Sequence, residues 1–402
     1  MATWKRPLPS EPEFSLEWSP TTDPADTPVW ESLTSRLREV HTRSYRQTEL
    51  DEFETGSLTA VLDNRDRALE PFATAGHRPR KRVRLQARHD GVTHDRFGGF
   101  ARSLKAVWRE PDATLHLACA DYGLILNRAQ VTISGYPREL VHTRIGRVLD
   151  AISIPAGDRS LDTSDVYCEA IPTPAANEEP QTVGALQHCQ DAAKSDGGYL
   201  FYSLSGDIVF HNRRHRIDTY GAAAATFGPD VAQIPYQRDF EGEVNDATLW
   251  NRFTVITANG DREEVTDSVA AADYWDSRKD DFQSLLAKPG EAAALASIVP
   301  WRYRDPGYRF PALKPMSGNQ RLTDAMMTIL LAADVGTRFA IDIEPPGGGS
   351  PIAKEVHLEG ITEDIVIGQP YGLQFDVSPA DPSITEWLLG TSTLGTNTTF
   401  GL

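Results

Sequence analysis

Cysteine is scarce in this chain. Its 402 residues hold three, Cys119, Cys168 and Cys189, far apart from one another. That excludes a disulfide scaffold and a CxxC metal knuckle, and it fits assembly in a reducing cytoplasm. Long apolar runs are missing as well. No stretch of about 18 or more apolar residues occurs, so no membrane-spanning helix is expected. The start, Met1-Ala2-Thr3-Trp4-Lys5-Arg6-Pro7, carries no apolar h-region of a secretory signal. Positive charge is short: 40 Lys and Arg face 57 Asp and Glu, a net charge of −17. Such a chain does not grip DNA, because phosphate binding needs a basic surface, although DNA can pass it unheld. The common chemical signatures are also absent. There is no GxxxxGK-S/T loop, no HExxH, no GxSxG, and no GxGxxG after a strand. No catalytic residue, cofactor or metal ligand is therefore expected.

What is present points to a multidomain β-rich protein. A length of 402 residues exceeds one ordinary core, so two or three domains are expected. Residues 1–120 read as a β-meander. Leu58, Ala60 and Leu62 share one face of a strand, and Val83, Leu85 and Ala87 alternate with Arg82, Arg84, Gln86 and Arg88. Asp90-Gly91 signals a hairpin, and Pro111-Asp112 turns the chain into a strand at 114–119. Residues 121–229 are mixed. Helical spacing runs over 144–151 and 183–194, with Gly197 and Gly198 ending the second helix. A hairpin follows, Tyr199 to Tyr202 and Ile208 to Phe210 around Ser205-Gly206-Asp207. Residues 230–402 are β-rich again, with strands at 249–257, 338–343, 354–362 and 373–377. A short Ala-rich helix at 291–299 is expected to end at Pro300. The predicted fold class is mainly β with an α+β insert: two β-barrel-like domains, 1–120 and 230–402, around a small mixed α/β middle region, 121–229.

Few residues invite chemistry. His211 and His215 are four apart, but they follow a strand-like run and bracket Asn212, Arg213 and Arg214, which repel a cation; a solvated loop is expected there. The pairs Glu263-Glu264 and Asp280-Asp281 read as solvated surface charge rather than a glycosidase pair. Trp108, Trp250 and Trp301 are assigned to core packing. The basic cluster Arg78, Arg80, Lys81, Arg82, Arg84 and Arg88 contradicts the acidic total. It is assigned as a candidate inter-subunit contact, the outer face of a strand that meets acid on a neighbour; a nucleic-acid contact is the alternative.

The order of short motifs resembles the minor tail proteins of siphophages, the tail-tip or baseplate hub family. Trp30-Glu31-Ser32-Leu33-Thr34 is similar to that family's opening segment. The run Gly56 to Pro71, the basic strand Arg82-Val83-Arg84-Leu85, the turn Phe97-Gly98-Gly99-Phe100 and the closing Ala120-Asp121 follow in the family's order. Near the end, Asn251-Arg252-Phe253-Thr254-Val255 resembles the strand that opens the last barrel. Asp334 to Phe339, Gly360-Ile361, Trp387 to Gly390 and Ser392 to Gly395 resemble its later signatures.

The resemblance implies a structural hub and no enzyme. It implies a homotrimer with two β-barrel domains and smaller inserts, beneath the distal tail protein and joined to tape measure, fibre or other tip proteins. DNA would pass through the lumen without specific binding, and the chain would not insert in a membrane. The expected location is the virion tail tip, after assembly in the host cytoplasm. Some relatives continue into a peptidase or fibre domain. This chain stops at Leu402, so neither is expected in it. The rivals are a distal tail ring protein and, from another class, a tail-associated cell-wall hydrolase or carbohydrate-binding module, which needs a convergent acid pair or a metal in a cleft.

Overall fold

The first 120 residues form seven strands, with apolar and polar residues alternating most clearly in the first, fourth and fifth: β1 (Glu13–Ser19), β2 (Glu31–Ser32), β3 (Leu37–Ser44), β4 (Ser57–Asp63), β5 (Arg82–His89), β6 (Val92–Arg109) and β7 (Asp112–Ala120). The computed structural model describes residues 11–44, 46, 52–71, 76–175, 178–237, 241–244, 246, 249–304, 307, 309–345, 347–380, 385–386 and 398–399. In β4, Leu58, Ala60 and Leu62 are buried and Ser57 and Thr59 are exposed, the period of two that a half-buried strand requires. Asp90-Gly91 joins β5 to β6 as a two-residue loop, with both residues at positive φ (46° and 78°), as a type I′ turn demands. The order of these strands is not a simple meander. It runs β3-β4-β7-β6-β5-β1-β2. The long connection from Asp63 to Arg82 lets β4 lie beside β7 instead of β5.

The C-terminal strands enter the same sheet. Thr226–Phe227, Arg338–Ile343, Ile352–Val366 and Gly372–Pro379 are four of them, with Ala312–Leu313 at an edge. The 15-residue strand Ile352–Val366 joins the halves. Its first half pairs with Arg338–Ile343, its second half (Ile361 to Val366) pairs with β3, and Gly372–Pro379 runs along its other edge. The two β-rich ends thus form one 12-stranded sheet. One apolar core spans both, from Phe14, Leu16 and Trp18 to Phe227, Phe339 and Phe375. A helix not foreseen from sequence, Asp324–Ala332, covers this core with Met327, Leu330 and Leu331; Thr323 caps it by accepting from the Met326 N–H.

A second core holds the mixed middle. The elements in chain order are α1 (Gly123–Leu126), β8 (Gln130–Ile133), β9 (Glu139–Leu140), α2 (Val141–Ala151), β10 (Arg159–Leu161), β11 (Tyr167–Cys168), β12 (Gln181–Gly184), α3 (Ala185–Asp196), β13 (Tyr199–Tyr202), β14 (Ile208–His211) and α4 (His215–Thr219). Helix α3 ends at Gly197 (φ 78°), where the Gly198 N–H reaches the Ala193 carbonyl across the last turn.

We number the remainder β15 (Thr226–Phe227), β16 (Arg252–Ile256), β17 (Arg262–Thr266), α5 (Ser268–Tyr274), β18 (Phe282–Gln283), α6 (Pro289–Tyr303), β19 (Ala312–Leu313), α7 (Asp324–Ala332), β20 (Arg338–Ile343), β21 (Ile352–Val366) and β22 (Gly372–Pro379). The segment from β16 to α6, which the sequence reading places in the C-terminal barrel, packs in the second core instead. Phe253, Val255, Leu286, Leu295 and Val299 lie there among Ile145, Leu149 and Cys189. Helix α6 also runs on through Pro300 to Tyr303. Val299, Pro300 and Tyr303 are buried, so packing on this side holds the helix past the residue expected to end it.

Candidate interaction site

The basic cluster divides into two sets. Arg82 and Arg84 are half-buried and already matched within the chain. Arg82 pairs with Asp158, donates to the Tyr122 hydroxyl and gives Nε to the Pro24 carbonyl at 2.7 Å. Arg84 holds Glu17 at 2.6 Å, and its guanidinium lies 4.3 Å from the centre of the Trp30 ring. Lys81 donates to the Thr22 carbonyl at 2.8 Å. Arg78, Arg80 and Arg88 are exposed and make no ion pair among the described residues. The first half of the outer face of β5 is therefore covered by the chain itself, by its N-terminal segment and by Tyr122 and Asp158. Free positive charge sits at the ends of that strand.

Arg78 and Arg80 gain a neighbour that the sequence does not reveal. The Arg80 N–H bonds to the Ala101 carbonyl, and the Ala101 N–H returns to the Lys81 carbonyl at 2.8 Å. This sets exposed Arg102, at a bulge in β6, beside Arg80. Arg80 has φ 68°, a conformation that turns the chain sharply there. Arg78, Arg80 and Arg102 form a cationic corner on a protein of net charge −17.

The histidines do not sit in a solvated loop. His211 ends β14 and His215 opens α4. Their rings stack face to face, 3.4 Å between centroids and 9° from parallel. His215 Nδ1 lies 2.7 Å from Asp162. Parallel stacking leaves the ring nitrogens unconverged on a common point. Burial, with His215 beside it, lowers the His211 pKa to about 3. The carboxylate pairs do not converge either. Glu263 and Glu264 are successive residues of β17 and point to opposite faces. Asp281 is held by Arg262 at 2.7 Å and by Arg278, while Asp280 is exposed.

Trp108 is 57% exposed near the β6–β7 turn, not in a core. Trp250 is partly buried; it meets Tyr303 edge-on, and Lys279 Nζ lies 4.3 Å from its ring centre. Trp301 is also half-buried. The C-terminal motifs Trp387 to Gly390 and Ser392 to Gly395 lie outside the described residues.

Two buried ionic clusters escaped the sequence reading. Glu359 on β21 receives Arg216 of α4 through two bonds, 2.7 and 2.8 Å, and Arg46 at 2.6 Å; Ser378 donates to it as well. The Tyr199 ring lies between Arg46 and Arg216, 4.3 and 4.4 Å from its centre. Burial opposes ionisation of Glu359, but Arg216 and Arg46 outweigh it and hold the carboxyl below its ordinary pKa. Glu363, two turns of the pleat farther on, binds Arg96 at 2.8 Å and Thr42 at 2.9 Å, and accepts from Tyr371. Next to the Arg46 cluster, a cavity of about 260 Å³ opens between α3, β13 and α6, walled by Phe53, Leu200, Phe253 and Ile298. Among the described residues no group of three or more His, Cys, Asp or Glu is placed to hold a metal.

No family model and no curated protein matches this sequence. Solved structures do match the fold. The tail protein from Neisseria meningitidis MC58 superposes with a TM-score of 0.59 at 12% identity, covering 92% of this chain and 97% of that one. The 43 kDa tail protein of prophage MuSo2 from Shewanella oneidensis gives 0.51, also at 12% identity, with 92% and 97% covered. The chain has a phage tail-protein fold. At 92% of the chain, the likeness extends over both β-rich ends and the mixed middle. It fixes the fold and leaves function to be argued from surfaces.

Proposed function

We propose that this chain is a structural hub of a phage tail tip, and not an enzyme. The observation that carries the reading is the tail-protein fold over 92% of the chain. In this reading three copies form a ring in a siphovirus-type tail. They join the distal tail ring above to fibre or tip proteins below, with tape measure protein and exiting DNA inside. The acidic balance supports a lumen that does not hold phosphates, since a basic lining would slow the DNA. The distribution of carboxylates supports a non-catalytic role: Glu359, Glu363, Glu139 and Asp281 are each bound to arginines within the chain.

The test is an epitope tag on this chain in the assembled particle, imaged by electron microscopy with copy counting. Label at the tail tip with three copies supports the hub. Six copies would make it the distal ring, and label along the tube or on the capsid would remove it from the tip altogether. A zymogram on host peptidoglycan tests the non-enzymatic part. A lytic band that vanishes on mutating one carboxylate would make the chain a hydrolase.

A further inference from the structure

Trp275 stands apart from every other aromatic residue in the described chain. It is 84% exposed, and its backbone lies at φ 66°, ψ 170°. Glycine is nearly alone in tolerating that region, and a residue with a Cβ is strained there. Such strain persists only where the surroundings over-determine it, and here they do. Asn251 is fully buried; its Nδ2 donates to the Trp275 carbonyl at 2.7 Å and its Oδ1 accepts the Ser277 N–H at 2.9 Å. The Asn251 and Arg252 backbone N–H groups both reach the Ser277 carbonyl, at 3.0 and 3.1 Å, and Ser277 Oγ bonds to Leu249 O at 2.6 Å. The motif Asn251-Arg252-Phe253 thus begins with the clamp of this loop. The result is an indole held away from the protein, and Tyr274 just before it is exposed too. Core packing cannot be the purpose of a bulky side chain forced outward on a backbone that suits glycine.

The charge around it restricts the partner. Residues 261–281 carry eight acidic and three basic side chains. Exposed Asp273 has no partner among the described residues, and Asp276, paired with Arg252 at 3.1 Å, stays half exposed. A surface that docks there must bring positive charge. The chain itself offers one, the corner of Arg78, Arg80 and Arg102, exposed and without an ion pair among the described residues. Guanidinium groups also stack well on an indole face.

We propose that Trp275 and the acidic residues beside it dock on the Arg78–Arg80–Arg102 corner of a second copy of this chain. The two surfaces are different parts of the molecule, the insert around β16 to β18 and the outer end of β5 and β6. The contact is therefore head-to-tail and leaves a joined pair with a free corner on one copy and a free knob on the other, so it closes a ring or extends. It names a surface for the hub's self-assembly, but it rests on the isolated chain and is tested there.

The experiment is sedimentation of the purified full chain over a concentration series at low and high salt. The wild type is expected to associate beyond one chain, less so at high salt. Trp275→Ala and Arg80→Glu should each weaken association at least tenfold. The pair Asp273→Arg with Arg80→Glu should recover part of the loss by exchanging the charges. Trp275→Gly is the sharpest variant, because it removes the indole and the strain together. It should lose association while melting no lower than wild type, and a structural role would lower both. Mixing Trp275→Ala with Arg80→Glu should yield dimers and nothing larger, because one intact knob meets one intact corner. A wild type that stays a monomer at every concentration, or association unchanged in Trp275→Gly, would overturn the contact. Tip labelling in the particle would be untouched by that result, so the hub reading and this contact fail separately.

Discussion

Arg216 and Glu359 are 143 residues apart in sequence and meet as a buried two-bond fork, 2.7 and 2.8 Å. Arg216 lies in the short helix α4 that follows the middle hairpin, and Glu359 lies at the centre of β21, the strand that joins the halves of the sheet. The pair therefore pins the second core onto the first. Arg46 completes the cluster from just beyond β3. Removing one partner from such a pair leaves a buried charge uncompensated, which costs about 3–5 kcal/mol. Glu359→Gln is expected to lower the stability by that order, read as a reduced denaturant midpoint. The pH dependence follows the same charge. Glu359 is held below its ordinary carboxyl pKa, so its contribution is full above about pH 4.3, the unfolded value, and is lost as pH falls below it. In Glu359→Gln that acid limb should shrink. A variant with unchanged midpoint and unchanged acid limb would show that the two cores do not depend on this fork.

Three histidines set a second acid response, at higher pH. His357 is buried and lies 2.9 Å from the Gly336 carbonyl; its pKa is lowered to about 3 by burial first and by the charge of Arg216 second. His211 falls to about 3 through burial and His215, and His188 to about 4 through burial and Arg144. An unfolded histidine titrates near about 6.5. Between that value and the folded values the unfolded chain binds more protons, so stability is lost as pH falls from about 6.5 toward 4 and is fully present above 6.5. Melting temperature should decline over that window. His357→Asn should flatten the decline by part of the slope, at most about 1.4 kcal/mol per pH unit for one proton. A melting temperature flat from pH 7 to pH 5 would rule out neutral buried histidines as the cause.

Local features were legible in the sequence where one residue pair dictates one backbone. Asp90-Gly91 specifies a turn with two positive φ angles, and Gly197 specifies the end of α3; both stand where the pattern puts them. Alternation in β4 and β5 likewise gave the buried faces. What needs a partner far along the chain was not legible. Nothing near Arg82 or Arg84 announces Asp158 or Glu17, so the basic stretch reads as one surface when half of it is already neutralised. The fusion of both ends into one sheet rests on β21 pairing with two different strands along one edge, and periodicity is silent on which strands pair. Helix α7 was missed because Met326, Met327, Leu330 and Leu331 form a short apolar run without a polar face to mark a period. Trp275 gave no signal at all. Its meaning lies in a φ angle and in an asparagine 24 residues earlier.

Gly98 marks a second seam between the cores, and it allows a test that needs no charge. The Phe97-Gly98-Gly99-Phe100 run lies in β6, and the turn at Ser205 and Gly206 joins β13 to β14. The two backbones touch. A Cβ on Gly98 would stand 2.2 Å from the Ser205 carbonyl oxygen, and one on Gly206 would stand 2.8 Å from the Gly98 carbonyl carbon. The obstacle in each case is main chain, so no rotamer relieves it. The turn is also stiff: the Gly206 N–H bonds to the Ser203 carbonyl at 2.9 Å, and the Asp207 N–H bonds to Ser203 Oγ at 3.0 Å. Gly98→Ala should therefore push the hairpin off the sheet and destabilise the protein by about 1–3 kcal/mol, the usual cost of overpacking. Gly206→Ala adds the strain of φ 95° to the same clash. Gly157→Ala, with nothing within 4 Å of its Cβ, should be close to neutral and serves as the control. Because Gly98 and Gly206 occupy one seam, the double variant should lose less than the sum of the singles. Chemical denaturation of the four variants measures this. Additive losses, or a Gly98→Ala chain as stable as the control, would mean that the hairpin and the sheet do not bear on one another there.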